Sequence, residues 1–391
     1  MNDKLKIGIC FGGYNPMHQG HLDVIMRSKK ECDYTFVVIC GYENEPRAIV
    51  NFNTKVDIVA KFIEANLNDT NVHRRNIFAI SVNDTELGID ESESDSNWDI
   101  WLADVYTKIR LVCMNNGIGG WGASFIPKNS NVHFYVGEER YVDALKKRKI
   151  KVTLVGKDKN GNRLNDISGT AIRNNPVKYW HKIIPPYRPY MTKRILITGT
   201  ASEGKTTLVQ DLGIYFDTPY VVEQAKGAFQ NSFGSTKMRE EDLTKVDYIK
   251  FLNEQYYGIV HALNDEKNKG FIFSDTDGLV TMMYAKSYSA IPSFKITEDD
   301  CKEIEEYYDK SYKEINSWDK IFLIVPHGKF VDDGIRYMGQ SSLDERFKNY
   351  YILLKLLAKY NMMDKVTFLN GSYYENFETV KKYVNDNIIS Q

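Results

Sequence analysis

The sequence is short of several features that mark whole classes of protein, and each shortage narrows its chemistry. Cysteine is sparse: Cys10, Cys32, Cys40, Cys113 and Cys301 are the five in 391 residues. Their number is odd and no CxxC or Cys/His spacing occurs, so neither a disulfide framework nor a zinc site is expected. Free thiols in a reducing cytosol, and hence a cytoplasmic location, are the expectation. No apolar run approaches the ~20 residues needed to cross a bilayer, and the polar opening from Met1 to Lys6 does not read as a signal peptide; no membrane partner is expected. Charge of one sign is not in excess either. Lys plus Arg number 51 against 52 Asp plus Glu, a net charge of -1. Nucleic-acid binders usually carry a basic excess or stripe, and the one basic run, Lys146-Lys147-Arg148-Lys149, reads as a solvated helix end. Proline is scarce too, with 10 in all, and three of these fall within residues 185–189.

What is present is length enough for two domains of ordinary size. Two segments share one outline. Residues 6–11 (KIGICF) run into Gly12-Gly13, and residues 194–198 (RILIT) run into Gly199. Each reads as a buried first strand ending in a glycine turn that opens a helix. Two such beginnings half a chain apart predict two α/β domains in tandem. Further parallel strands are expected at 35–40, 77–82, 132–136 and 152–155, then at 220–222, 270–274, 320–325 and 366–369. Helices are expected at 251–264 and 343–360, and a surface loop over the acidic stretch 84–97. The prolines cannot continue a helix or a central strand. A stiff linker is therefore expected over 185–192, between domains at 1–184 and 193–391.

The first half carries Gly12-Gly13-Tyr14-Asn15-Pro16-Met17-His18-Gln19-Gly20-His21, an HxGH motif directly after a first strand. Gly12 and Gly13 lack the Cβ atoms that would keep a triphosphate from the backbone. The amides of the helix that follows face such an anion. His18 and His21, three apart, share one side of the helix start and can donate to phosphate oxygens as charge moves onto a leaving pyrophosphate. Near the end of the same half, residues 167–173 read ISGTAIR. Ser168 is a plausible N-cap, and Thr170 and Arg173 share one face, with Arg173 able to grip a β- or γ-phosphate. Together the two motifs resemble those of the nucleotidyltransferase superfamily, and the resemblance implies a Rossmann-like nucleotidyltransferase domain that binds ATP.

The second half carries Gly199-Thr200-Ala201-Ser202-Glu203-Gly204-Lys205-Thr206, the full GxxxxGK(S/T) pattern, followed by Thr207 in a helical stretch. After a strand and before a helix this is a phosphate-binding P-loop. Its amides, from Gly199, Ser202, Glu203 and Gly204 onward, cradle the β-phosphate. Lys205 reaches the β- and γ-phosphates, and Thr206 binds Mg²⁺. Asp275 ends the strand at 270–274 and is expected to share that metal. Glu223 follows the strand at 220–222 and reads equally as a proton acceptor or as a carboxylate at a helix start. Arg336, in Asp332-Asp333-Gly334-Ile335-Arg336, reads as a lid arginine or as part of a surface turn.

Both halves, and their order, resemble the NadR-type bifunctional family, in which a nicotinamide-nucleotide adenylyltransferase precedes a ribosylnicotinamide kinase. The likeness rests on FGGYNPMHQGH and on the passage from ISGTAIRNNPVKYW through the prolines to RILITGTASEGKTTL. It rests further on NWDIW at 97–101, VVEQAKGAF at 221–229, DTD at 275–277 and DDGIR at 332–336. The resemblance implies that Trp98 and Trp101 lie near nicotinamide and that Glu223 and Asp277 flank the kinase acceptor. It implies ATP as co-substrate at both sites, Mg²⁺ as the metal, and nicotinamide riboside and its mononucleotide as the other substrates. It also implies in-line attack by the acceptor's phosphate, with no protein nucleophile. The sequence departs from the family at Gly13, where a basic residue is common, and near Val56, where an arginine is expected. It departs again at Val222, Gln224 and Lys226, which replace aromatic residues and an arginine. Members acting as repressors carry a helix-turn-helix ahead of the first domain; here the first strand begins by Lys6, so no DNA binding is expected. Residues alone leave open the same chemistry on another nucleoside and phosphate acceptor. A nucleotide-sensing regulator that binds without turnover, and assembly into a homo-oligomer, also stay open.

Overall fold

The computed structural model describes residues 5–68, 75–90, 94–119, 125–156, 167–225, 239–312, 317–327, 330 and 338–390. The chain divides into two compact units, Met1–Met191 and Thr192–Gln391. Each is an α/β unit on an all-parallel sheet.

The first sheet comprises β1 (Ile7–Gly12), β2 (Tyr34–Gly41), β3 (Ile77–Asn83), β4 (Val132–Val136) and β5 (Lys151–Leu154), in the order β3-β2-β1-β4-β5. In β2 the first six residues are all buried, without the alternation of a half-exposed strand. A parallel sheet covered by helices on both faces demands such a run. One face packs Cys10, Ile25, Val37 and Tyr135. The other packs Ile9, Phe36, Phe134 and Val105. Ile7 on β1 pairs with Tyr34 on β2 and with Val132 on β4. The strand order therefore turns at β1, and a crevice opens beyond its carboxyl end, where α/β sheets bind ligands. The Gly12-Gly13 turn and α1 (Gln19–Glu31) stand there.

The second sheet comprises β6 (Lys193–Gly199), β7 (Tyr220–Val221), β8 (Phe271–Asp275), β9 (Lys320–Ile324) and β10 (Val366–Leu369), in the order β10-β9-β6-β8-β7. β6 lies between β8 and β9, so its carboxyl end again meets a turn in strand order.

Three expectations need correction. Residues 185–192 do not form a spacer. Pro185–Tyr187 is a 3-10 turn and Arg188–Met191 a helical turn, with Ile183, Ile184, Tyr187 and Met191 in the first unit's core. Proline is excluded from helix interiors but suits a first helical position, and the apolar residues around the prolines gain by burial. This segment buttresses the HxGH loop: Ile184 N–H donates to Met17 O at 3.3 Å, and His18 forms an isolated antiparallel bridge with Ile183. Second, the expected surface loop ends early. Ser94 caps α3 (Asp95–Asn115), which carries Asn97, Trp98 and Trp101. Third, Arg148 is not solvated. Its side chain is 9% exposed, with Nε donating to Asp99 Oδ1 at 2.8 Å and Nη2 to Asp95 O at 2.7 Å. It thereby holds the start of α3 in place beneath Trp98.

Candidate active sites

In the first unit the HxGH residues are organised by their own backbone. Tyr14 takes a left-handed φ of 46°, and its buried ring meets His21 edge-on at 4.8 Å. His18 caps α1: its Nδ1 accepts from Gly20 N–H at 3.2 Å, and His21 Nδ1 accepts from His18 N–H at 3.3 Å. An imidazole nitrogen that accepts carries no proton, so both neutral rings hold theirs on Nε2. The rings stack at 3.9 Å. Burial, with His18 beside it, holds the His21 pKa well below the usual imidazole value. The pair therefore offers two neutral N–H donors at a helix start.

That shift has a measurable sign. Because the folded-state value is lowered, the unfolded chain binds more protons once the pH falls below about 6.5, and stability drops with it. The thermal unfolding midpoint should decline from about pH 7 to about pH 5.5, less steeply in His21→Gln. Equal slopes in the two proteins would remove His21 from the account.

Ser168 caps the short helix Gly169–Asn174, accepting from Ala171 N–H at 3.1 Å. Arg173 donates to Asn15 O at 2.9 Å and to Thr170 Oγ1 at 3.0 Å, which ties the ISGTAIR segment to the GGYNP turn. Gly12, Gly13, His18, His21, Thr170 and Arg173 all line one cavity of about 310 Å³. Its neighbour, about 410 Å³, is lined by Trp98, Trp101, Asn97 and Asp84, and the two share Gly12 and Gly13. Trp101 packs on Phe11 at 5.1 Å, and Trp98 meets Trp101 at 5.7 Å. A cleft lined by a guanidinium, two imidazoles and a helix start thus adjoins an aromatic pocket suited to a planar ring.

In the second unit Gly199 has φ 148°, and a Cβ there would meet Ile324 O at 3.0 Å. Gly204 has φ 77° and Ser202 φ 61°. These left-handed turns aim successive amides inward, the nest that receives phosphate. Lys205 opens α7 (Lys205–Phe216), is buried, and donates to Thr200 O at 2.7 Å inside the loop. Thr206 donates to Asp275 Oδ2 at 2.5 Å, and Asp275 is fully buried at the end of β8. One hydroxyl and one carboxylate suit a hard divalent cation whose other positions are filled by phosphate oxygens and water. No group of three or more His, Cys, Asp or Glu able to hold a metal occurs among the described residues. Glu203 turns away from the nest into a buried ion pair with Arg346 at 2.5 Å.

The sequence comparisons divide at the same place as the fold. Residues 9–175 match the cytidylyltransferase-like family, and residues 194–375 match the AAA domain family. The trifunctional NAD biosynthesis/regulator protein NadR of Salmonella typhimurium (strain LT2) is 25% identical over 368 residues, covering 91% of this chain and 77% of that protein. Its namesake from Escherichia coli (strain K12) is 24% identical, covering 92% and 78%. A crystal structure of NadR protein in complex with NAD and AMP-PNP superposes with a TM-score of 0.73 at 25% identity, covering 98% of both chains. Another, in complex with NR, gives 0.74 at 24% identity, covering 98% and 97%. The chain is a NadR-type protein.

In this NadR-type chain the expected residues fare unevenly. His18, His21, Ser168, Thr170, Arg173, Trp98 and Trp101 meet around two adjoining cavities. Lys205, Thr206 and Asp275 meet at the P-loop, with Thr207 exposed on its helix. Glu223 stands half-buried beyond β7, next to Gln224, whose N–H donates to Gln255 Oε1 at 3.2 Å. Asp277, expected beside the acceptor, is 1% exposed: Oδ1 accepts from Leu279 N–H at 3.0 Å and Oδ2 from Trp318 Nε1 at 2.9 Å. Burial raises its pKa to about 6 in spite of both bonds. These two bonds make it the cap of the helix Gly278–Tyr288 and the anchor of Trp318. Arg336 lies outside the described residues, as does Lys226. Among the described residues no helix is long and apolar enough to cross a membrane.

Sequence reasoning missed Glu45, Asp84, Arg140 and Tyr141, all of which line the aromatic pocket. Burial raises the Asp84 pKa to about 6, against the opposing pull of Lys55. The signal for Arg140 was present: it follows β4 closely, at a strand's carboxyl end beside β1.

Proposed function

We propose that this chain carries out two ATP-dependent steps of NAD biosynthesis. The P-loop unit phosphorylates nicotinamide riboside to the mononucleotide. The HxGH unit then adenylylates the mononucleotide to NAD and releases pyrophosphate. The observation that carries this reading is the continuity of the His18/His21 cleft with the Trp98/Trp101 pocket in one unit. The other unit carries a complete P-loop of its own. The NAD, AMP-PNP and NR named in the solved relatives' complexes support the same substrates.

In the adenylyl step an oxygen of the mononucleotide phosphate bonds to the α-phosphorus of ATP. The bond from that phosphorus to the α,β-bridging oxygen breaks, and pyrophosphate leaves with the electron pair. The chain contributes position and charge stabilisation. His18 and His21 donate from Nε2 to the departing phosphates, and Arg173 holds their far end. In the kinase step Lys205 and the loop amides hold the β- and γ-phosphates, while Thr206 and Asp275 would hold Mg²⁺. That ion, when bound, offsets charge on the transferring group. Glu223 receives or orients the acceptor hydroxyl's proton.

The direct test is to incubate the purified protein with ATP, Mg²⁺ and nicotinamide riboside and to follow products by mass spectrometry. Mononucleotide and then NAD are expected. A folded protein that makes neither overturns the reading, and activity confined to another nucleoside would replace the substrate while keeping the chemistry. Within the kinase step, Asp275→Asn should raise the Mg²⁺ concentration needed for half-maximal rate. Glu223→Gln should lower the rate by roughly 10²-fold at saturating Mg²⁺. An unaltered Mg²⁺ titration or an unaltered rate would remove the corresponding role.

A further inference from the structure

The two cavities of the first unit share a rim made by Phe11, Gly12, Gly13, Glu45, Arg140 and Tyr141. A phosphate on a ligand stacked in the aromatic pocket must lie at this rim to reach a nucleotide held by His18, His21 and Arg173. The rim needs a cation there, because two phosphate groups that meet repel each other. Among the described residues lining the aromatic pocket, Arg140 is the one Arg or Lys, and it also lines the cleft. Lys55 is near but committed: it is 1% exposed, and its Nζ donates to Cys40 O at 2.7 Å with Glu45 at 3.8 Å. Gly13 offers no side chain.

The setting of Arg140 suits the task. It opens α4 (Arg140–Lys147), close after β4, and its side chain is 57% exposed. The guanidinium lies over the Tyr141 ring, 4.6 Å from its centre. Nε donates to Glu138 Oε2 at 2.7 Å, and Nη2 donates to Tyr141 OH at 2.6 Å. The planar fork is therefore oriented by its own neighbours, and a phosphate dianion can replace the Glu138 carboxylate with two parallel hydrogen bonds.

We infer that Arg140 receives the phosphate of the acceptor mononucleotide and positions its oxygen for attack on the α-phosphorus of ATP. The inference rests on the adenylyltransferase reading above and adds a specificity device to it: Arg140 selects a phosphorylated acceptor over the bare nucleoside. In NAD formation from supplied mononucleotide, Arg140→Ala should raise the mononucleotide KM roughly 10²-fold, the scale of losing hydrogen bonds to a charged group. The KM for ATP should stay nearly the same, and Arg140→Lys should recover part of the loss, since it keeps the charge without the fork. An unchanged thermal unfolding profile and an unchanged KM for ATP in the adenylyl step, in both variants, would establish that the first unit is folded. If the wild-type protein forms no NAD from mononucleotide, the adenylyltransferase reading fails. If it does, and Arg140→Ala leaves the mononucleotide KM unchanged or raises both KM values alike, the inference about Arg140 alone is overturned.

Discussion

Lys205→Ala is expected to lower phosphorylation of nicotinamide riboside by roughly 10²- to 10³-fold, the loss typical of removing one preorganised donor from a transferring group. The magnitude follows from the surroundings. Lys205 is 5% exposed and its ammonium sits inside the P-loop against Thr200 O, so its charge acts in a poorly screened environment. Adenylyl transfer to supplied mononucleotide should be nearly intact, because His18, His21 and Arg173 belong to Met1–Met191 and Lys205 to the other unit. Loss of both activities in a folded variant would contradict two independent sites.

His21→Ala should reduce NAD formation from the mononucleotide by roughly 10²-fold or more. Two losses combine in this variant. The Nε2–H donor disappears, and so does the Nδ1 acceptor that holds His18 N–H at 3.3 Å. The His18 ring, stacked on His21 at 3.9 Å, then loses the neighbour that orients it. His21→Asn, which keeps a polar donor, should lie between the alanine variant and the wild type. Riboside phosphorylation is the internal control and should be unchanged. An unaltered rate of NAD formation in His21→Ala would remove the imidazole from the mechanism.

The parts of each site that depend on local sequence were legible beforehand. Glycine turns after a first strand, a histidine capping its own helix and a serine capping the next are set by neighbours a few residues away, so spacing alone reveals them. Arg140 and Asp84 were harder, because they reach the pocket only once β4 and β3 flank β1 and β2 in a twisted sheet. The Trp318 contact of Asp277 was hidden for a related reason. Its position after β8 matched a substrate contact, and Trp318, 41 residues away, takes one of its oxygens. The proline segment misled, since proline's local restriction rules out a strand or helix interior but says nothing of burial.

The sequence by itself determined that the chain is two α/β units, each with an anion-binding glycine turn at the end of its first strand, because strand hydrophobicity and turn stereochemistry are local properties. Only the tertiary structure decided which side chains share a cavity. It set the aromatic pocket against the histidine cleft, put Arg140 on their common rim, turned Asp277 inward to Trp318 and folded the proline segment under the HxGH loop. Those outcomes depend on strand order and on which apolar surfaces cover one another, and no short stretch of sequence carries that information.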